Sequence, residues 1–319
     1  MQTKIQFISD QEVKKLLTMS EAIGLMKKAF TQITNKSVTI PQRINLDMPE
    51  VKADSLVMPV YSAADKKYGV KIVSVNRDNP AKNLPFIRAL MILFDAEIGK
   101  PLAILDAENL TAIRTGAASG LATQILSNQD ASTVAIFGAG IQAKFQLKAI
   151  NEVRKIKEVF VFEKNKEKAK NLMNKMENEL DVKIQITDDQ KYVKESQIIC
   201  TATTSAFPVF DDKFISEGTH INAIGSYQPT KREIPSETVK RAKVFVDSKD
   251  SCLKEAGELI IPLNEVTMTK EKEISDIGEL LLGLKEGRKS IEEITLFKSV
   301  GNAAQDLICA IHIFEKSKN

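Results

Sequence analysis

A glycine-rich run in the middle of the chain has the residue types and spacing of a dinucleotide-binding loop. The letters VAIFGAGIQA join a predicted strand to the pattern GxGxxA, whose small residues are Gly138, Gly140 and Ala143. The first glycine permits a tight turn, the second lets a pyrophosphate approach the backbone, and the alanine allows the next helix to pack closely. The sequence predicts a nucleotide site, and the alternative is a glycine turn in a fold without a cofactor.

An acidic residue stands where such a site would bind the adenosine ribose. The second predicted strand, EVFVFE, ends at Glu163, twenty residues after Ala143. A carboxylate there accepts hydrogen bonds from the ribose hydroxyls and repels a 2′-phosphate, which favours NAD over NADP. Lys164 follows at once and could offset that repulsion, so NADP stays possible. The alternative for Lys164 is a solvated surface lysine.

Hydroxyl side chains end a later predicted strand, SQIICTAT, at Thr201 and Thr203. Ligands of open α/β sheets bind outside the carboxyl ends of the strands. We therefore expect these threonines to line the cofactor cleft, although they could equally cap the next turn.

Three cations predict an anionic substrate. Lys71 interrupts the apolar run YGVKIVSV, where an unpaired lysine is costly. Arg43 precedes the apolar stretch INL, and Arg114 lies among small residues in TAIRTGAASG. Each alone could be a structural cation. Together they favour a carboxylate, which arginine binds through two parallel hydrogen bonds.

Composition excludes several function classes. The 319 residues include only two histidines, His220 and His312, so a histidine-rich metal site is not expected and acid–base chemistry falls to Lys, Asp, Glu or Tyr. A net charge of +3, with lysines interleaved with glutamates, argues against a nucleic-acid binder. We expect neither a signal peptide nor a membrane span, because the first residues and the remaining chain lack apolar runs of the required length. Three cysteines without ligand spacing favour the cytoplasm.

The elements that must position these groups fall into two predicted domains. Two short helices, capped by Ser9 and Ser20, should precede β-rich runs and a helix of small residues. From about residue 132 to about 250, strands alternate with helices, which predicts a parallel sheet. The terminal run FKSVGNAAQDLICAIHIFEK is predicted as an apolar helix that returns to the first domain.

The predicted fold class is α/β, with a Rossmann domain and a second α/β domain. We predict that residues 1–114 with 299–319 form the substrate-binding and dimerisation domain. Residues 115–298 would form the Rossmann dinucleotide-binding domain.

Six stretches together resemble the ornithine cyclodeaminase/mu-crystallin family of NAD(P)-dependent enzymes. They are LVMPVYSAADKKYGVKIVSV, ILFDAEIGKPLAILDAENLTAIRTGAAS, VAIFGAGIQA, IICTATTS, GTHINAIGSYQP and FKSVGNAAQD. They occur in family order and span nearly the whole chain. The resemblance implies a Rossmann domain, a substrate domain that forms a homodimer, and a nicotinamide cofactor.

The resemblance also implies residue roles. Arg43, Lys71 and Arg114 would bind the substrate carboxylate, and Lys71 could also move a proton. The further expected cofactor contacts are Arg114, Thr115, Ala139, Gly140, Ile141, Gln142, Glu163, Thr203, Ile224, Lys231 and Ser299. Lys231 and Ser299 match positions near the nicotinamide.

Two departures from the family pattern bear on the chemistry. Tyr227 stands where the cyclodeaminase and the alanine dehydrogenase have an aspartate, the proposed acid–base group of the cyclodeaminase. Tyr227 is therefore our second acid–base candidate, and its alternative is a packed aromatic. Phe86 and Ile87 replace a hydroxyl residue and a histidine that many relatives have near the cofactor.

The predicted function is an NAD(P)-dependent oxidoreductase that exchanges a hydride with the α-carbon of a small amino or imino acid. It would act as an imine or ketimine reductase, or like an alanine dehydrogenase. One alternative is an ornithine cyclodeaminase, which converts ornithine to proline and ammonia and keeps its NAD. The other is a non-catalytic protein that binds NAD(P) or another ligand.

Overall fold

The computed structural model describes residues 5–82, 84–269 and 272–318, which divide into two compact units. The first unit comprises Met1–Arg114 and Asn302–Asn319, and the second comprises Thr115–Gly301. Residues 299–301, which the sequence assigned to the first domain, group with the second unit. The reason is local, because both the Ser299 hydroxyl and the Gly301 N–H donate to the Asp247 carboxylate of that unit.

The described residues of the first unit form a mixed sheet, four α-helices or α-helix segments, and two short 3-10 helices (Pro49–Val51 and Asn79–Lys82). Its strands are β1 (Gln6–Ile8), β2 (Val38–Thr39), β3 (Ile44–Met48), β4 (Ala53–Ser62), β5 (Lys67–Asn76), β6 (Ile87–Asp95) and β7 (Pro101–Asp106). Its helices are α1 (Asp10–Leu16), α2 (Met19–Thr34), the first part of α3 (Glu108–Leu126) and α11 (Ala303–Lys316).

The sheet of the first unit has one face buried under a helix. Its order is β1-β7-β6-β5-β4-β2, with β3 paired to β4, and all pairs are antiparallel except β1 with β7. Helix α11 packs on β4, β5 and β6, and α2 packs on α11. Because side chains of a strand alternate between faces, Gly69, Lys71, Val73 and Val75 of β5 all lie on the buried side.

The capping of the two opening helices agrees with the sequence at one position and differs at the other. Ser9 caps α1 in a capping box with Glu12, as predicted. The cap of α2 is Thr18 and not Ser20, because Thr18 has Glu21 three residues later to complete the reciprocal hydrogen bonds.

The second unit begins within α3 and alternates strands with helices. Its strands are β8 (Thr133–Phe137), β9 (Glu158–Phe162), β10 (Lys183–Ile186), β11 (Ile198–Thr201), β12 (His220–Ala223), β13 (Lys243–Val246), β14 (Ile274–Asp276) and β15 (Thr295–Lys298). Its further helices are α4 (Ile141–Val153), α5 (Lys166–Leu180), α6 (Lys191–Lys194), α7 (Ser236–Arg241), α8 (Lys249–Glu255), α9 (Gly257–Asn264) and α10 (Ile277–Leu281).

These strands form a parallel sheet in the order β10-β9-β8-β11-β12-β15-β13-β14. Alternate residues of β8 enter two different hydrophobic clusters, so both faces of the sheet are covered. The α/β class with a Rossmann-type parallel sheet is confirmed. The strand–helix alternation, which was expected to fade after about residue 250, continues beyond it, because β14 adds an edge strand beside β13 and β15 lies between β12 and β13. None of the described helices is long and apolar enough to cross a membrane.

Candidate functional site

The glycine-rich loop of the second unit has the shape that a pyrophosphate requires. Gly138 follows β8 with a φ of +98°, and a Cβ there would lie 2.6 Å from the carbonyl oxygen of Ala202. A side chain at this position is therefore excluded by both conformation and space. Gly140 is the N-cap of α4 and has no side chain over the first turn, where Ile141 is 55% exposed. The N–H groups of this helix end are thus open to an anion.

Glu163 is fixed beside that loop. Its Oε2 accepts the backbone N–H of Ala139 at 3.0 Å, and its Oε1 accepts that of Asn165 at 2.9 Å. The carboxylate keeps lone pairs for ribose hydroxyls and places negative charge where a 2′-phosphate would lie. The neighbouring Lys164 is exposed.

A nicotinamide dinucleotide fits the residues of this edge. In the first turn of α4 the Gln142 Oε1 is buried and has no hydrogen-bond partner in the described part of the chain. The cradle made by Gly138 and the position of the Glu163 carboxylate agree with the same ligand. Thr115 lies on α3 at the start of this unit, and its carbonyl accepts a hydrogen bond from Gln146.

Thr201 ends β11 and Thr203 follows it, and the hydroxyls of both are hydrogen-bonded within the second unit. Thr201 is completely buried, and its hydroxyl donates to Glu233 at 2.9 Å. The Thr203 hydroxyl donates to the same carboxylate at 2.7 Å. Both hydroxyls thus donate to one buried carboxylate, and their expected contact with the cofactor stays a prediction.

The remaining predicted cofactor positions also lie at the carboxyl ends of strands or in the loop after β12. Ile224 follows β12 directly, and Lys231 lies with Tyr227 in the loop between β12 and α7. Tyr227 is half-buried and packs against the hydrophobic cluster of this unit. Ser299 follows β15, is buried, and donates its hydroxyl to Asp247 at 2.8 Å.

The first unit contains a buried cluster around Asp306. Lys71 is 1% exposed, and its ammonium lies 2.6 Å from Asp306 Oδ2. The Nε of Arg114 donates to Asp306 Oδ1 at 3.1 Å, and its Nη1 donates to Gln305 Oε1 at 2.7 Å. Two cations thus share one carboxylate out of contact with water.

The pKa of Lys71 is lowered to about 7. Burial is the main cause, because it disfavours the charged ammonium. Asp306 opposes the shift, while the positive charges of Arg114 and Arg43 add to it. Lys71 therefore titrates near neutral pH, as a group that gives and accepts protons should.

Arg43 lies just before β3 and is half-buried. Its effect on the Lys71 pKa shows that the three predicted cations belong to one electrostatic environment. Protonated Lys71 and Arg114 together carry two positive charges against the one negative charge of Asp306, and this favours an anion such as a carboxylate.

Asp306, Glu233, Glu258 and Lys298 were missed from the sequence. Asp306 interrupts the apolar run AAQDLICAIHIF, and a charge at a core position of a helix is the signal that could have found it. Lys298 similarly ends the apolar strand TLFK. The short segments around Glu233 and Glu258 contain no comparable signal.

The chain is similar to known proteins over nearly its whole length. The model of the ornithine cyclodeaminase/mu-crystallin family matches residues 3–319. The Delta(1)-pyrroline-2-carboxylate reductase of Bacillus cereus is 35% identical over 312 residues, which cover 97% of this chain and 96% of that protein.

Two solved structures share the fold and hold a nicotinamide cofactor. The Thermococcus litoralis Delta(1)-pyrroline-2-carboxylate reductase in complex with NADH and L-proline has a TM-score of 0.95 at 37% identity and 98% coverage of each chain. An archaeal alanine dehydrogenase dimer with bound NAD has a TM-score of 0.92 at 33% identity, covering 98% of this chain and 96% of that one. The match over nearly the whole length establishes that the chain belongs to the ornithine cyclodeaminase/mu-crystallin family.

Proposed function

We propose that the chain is an NAD-dependent oxidoreductase that reduces a small imino acid, of the type of Δ1-pyrroline-2-carboxylate, at its α-carbon. The observation that supports it most directly is the buried cluster of Lys71, Arg114 and Asp306. This cluster combines a surplus of positive charge with a lysine whose pKa is about 7. Relatives with this type of activity match over nearly the full length.

Each residue has a defined task in this reaction. Gly138, Gly140 and Glu163 would hold the dinucleotide, whose reduced nicotinamide supplies the hydride when bound. Arg43 and Arg114 bind the carboxylate of the imino acid. The Lys71 ammonium donates its proton to the imine nitrogen as the α-carbon accepts the hydride, which gives the amine and a neutral lysine. Asp306 holds the lysine in place.

Cofactor stoichiometry tests the proposal. A reductase consumes NADH in proportion to the cyclic imine, or to pyruvate plus ammonia for an alanine-dehydrogenase-like activity. Formation of proline from ornithine with only catalytic NAD would replace the proposal by a cyclodeaminase. NADH binding without turnover of any of these substrates would favour the binding-protein alternative.

Cofactor preference should depend on Glu163. Glu163→Ser removes the carboxylate that repels a 2′-phosphate, and juxtaposed like charges cost several kcal/mol. We expect the ratio of kcat/KM for NADPH to that for NADH to rise about 10-fold or more. Glu167→Ser is the matched control, because Glu167 is exposed on α5. An unchanged ratio in Glu163→Ser would contradict the assignment.

We further propose that the uncovered face of the first unit's sheet forms a homodimer. Tyr68 stacks on Phe94 with ring centroids 4.6 Å apart. Ile72 pairs with Leu90 on the same face, where these two side chains are 39% and 43% exposed. A contiguous apolar face of this kind marks an interface, and the archaeal relative is a dimer.

Ile72→Glu should weaken this dimer. Burying an unpaired carboxylate costs several kcal/mol, so we expect the dissociation constant to rise roughly 100-fold or more. Light scattering during size-exclusion chromatography measures the mass directly. Ile291→Glu is the control, since Ile291 is exposed in the second unit. An unaltered mass for Ile72→Glu at low concentration would exclude this face.

The cytoplasm is the compartment we propose for this activity. Cys200, Cys252 and Cys309 are all buried free thiols, and burial raises the pKa of each. Such cysteines act as small apolar residues and need no oxidising environment.

A further inference from the structure

Glu233 joins the ends of two neighbouring strands of the parallel sheet. Its Oε1 accepts the backbone N–H and the hydroxyl of Thr203, both at 2.7 Å. Its Oε2 accepts the Thr201 hydroxyl at 2.9 Å and the Gly225 N–H at 2.8 Å. Glu233 is 0% exposed, so one buried carboxylate ties the end of β11 to the segment after β12.

The donors around Glu233 require an acceptor at both of its side-chain oxygens. Each oxygen accepts one backbone N–H, which cannot change its role. A glutamine would turn an NH₂ group toward one of these N–H groups and leave two donors facing each other. The space is equally restricted, since a Cβ on Gly225 would lie 2.4 Å from the Glu233 carboxylate and from the Thr203 carbonyl oxygen.

Glu233 is itself held by a second buried charge pair. Its N–H donates to Glu258 Oε1 at 3.1 Å, and Lys298 lies 3.1 Å from Glu258 Oε2. The Lys298 ammonium also donates to the carbonyl oxygen of Ser226. Glu258 and Lys298 are both 0% exposed. Polar contacts from the end of β11, from α9 and from β15 thus fix one segment, residues 225–233.

This segment contains Tyr227 and Lys231, and it is braced internally by a hydrogen bond of 2.9 Å from the Ser226 hydroxyl to the Lys231 carbonyl oxygen. Gly257 of α9 lies against Lys231, where a Cβ would come within 1.9 Å of the Lys231 carbonyl oxygen. Glu233 positions Thr203, which follows β11. It also positions Gly225 and the rest of residues 225–233, which follow β12. The adenosine groups, Gly138 and Glu163, follow β8 and β9.

We propose that Glu233 is a positioning residue for the nicotinamide half of the cofactor, acting through Thr203 and residues 225–233. The proposal rests on the proposed function, because it assumes a nicotinamide dinucleotide. It assigns the glutamate no contact with substrate or cofactor. Loss of its charge should disturb the edge formed by β11 and β12 more than the carboxylate of Glu163 after β9, which is held by the N–H groups of Ala139 and Asn165.

Calorimetric titration of Glu233→Gln with NADH and with ADP-ribose tests this proposal. ADP-ribose contains the adenosine and the pyrophosphate but no nicotinamide. We expect the Kd for NADH to rise about 10-fold, as for a buried donor left unsatisfied, and the Kd for ADP-ribose to stay within about threefold. Thr201→Val removes one hydroxyl without inserting a conflicting donor, and it should show a smaller shift of the same selectivity.

The control is Thr295→Val, at the amino end of β15. The Thr295 hydroxyl is buried, is bonded to His220 and donates to the Leu126 carbonyl oxygen. Its loss should lower stability and leave both Kd values unchanged. If Glu233→Gln and Thr201→Val raised the Kd values for NADH and ADP-ribose equally, or changed neither, the positioning role would be overturned while the proposed function would stand. A wild-type protein that binds neither NADH nor ADP-ribose would overturn the proposed function as well.

Discussion

Lys71→Met is expected to lower kcat for imine reduction by about 10²–10⁴-fold, the range for losing a general acid. Methionine has similar length, and Asp306 keeps its partner Arg114, so the fold should survive. Lys67→Met is the matched control, because Lys67 lies on the same strand and pairs with Asp95 at 3.1 Å. Its kcat should stay near the wild-type value.

The pH dependence of kcat/KM tests the same role of Lys71. Lys71 has a pKa of about 7, so it is protonated below that pH and neutral above it. Reduction needs the ammonium as a proton donor, and kcat/KM should therefore fall as pH rises through about 7. Oxidation of the amine needs the neutral lysine and should rise over the same interval. The fall of kcat/KM for reduction near pH 7 should be absent in Lys71→Arg, because its guanidinium stays charged.

Two results would contradict this role. An unchanged kcat in Lys71→Met would remove the lysine from the proton transfer. If Tyr227→Phe lowered kcat strongly while Lys71→Met kept the wild-type kcat, the proton donor would be the Tyr227 phenol. Tyr227 packs against the hydrophobic cluster of the second unit, so we expect only a small effect of removing its hydroxyl.

Local patterns predicted the parts of the site that local chemistry determines. Gly138 and Glu163 were found because a tight turn and a ribose-binding acid occur at fixed offsets from strands. Lys71 was found because a lysine in an apolar strand is unusual wherever it occurs. In each case the signal lies within about 30 residues, the length of one βαβ unit.

Partners that are distant in the chain were not predictable. Asp306 lies 235 positions from Lys71, and only the packing of α11 on the sheet brings the two together. Glu233 follows Thr201 by 32 positions, and no local pattern links them. The strand β15 was missed because a four-residue apolar run merges with the apolar helix after it, and periodicity cannot separate the two.

Asp306→Asn should cause the largest loss of stability, about 3–5 kcal/mol, the cost of leaving a buried charge without its partner. Asp306 is 0% exposed and is bonded to both Lys71 and Arg114, so the neutral amide disfavours the Lys71 ammonium and leaves the buried Arg114 guanidinium without its counter-ion. Urea denaturation measures the free energy of unfolding. Asp95→Asn is the control, because its pair with Lys67 is partly solvated and its loss should change the free energy of unfolding much less.

The same variant separates the carboxylate's electrostatic role from its structural role. Asp306 raises the Lys71 pKa against the effect of burial, so its neutralisation should lower that pKa further. Less ammonium is then present at neutral pH, and the decline of kcat/KM for reduction should move to lower pH while oxidation gains its base earlier. A variant that loses stability but keeps the wild-type profile would show that Asp306 supports the fold without setting the protonation of Lys71. Both changes together would show that one buried carboxylate holds the lysine in place and sets the pH at which it gives up its proton.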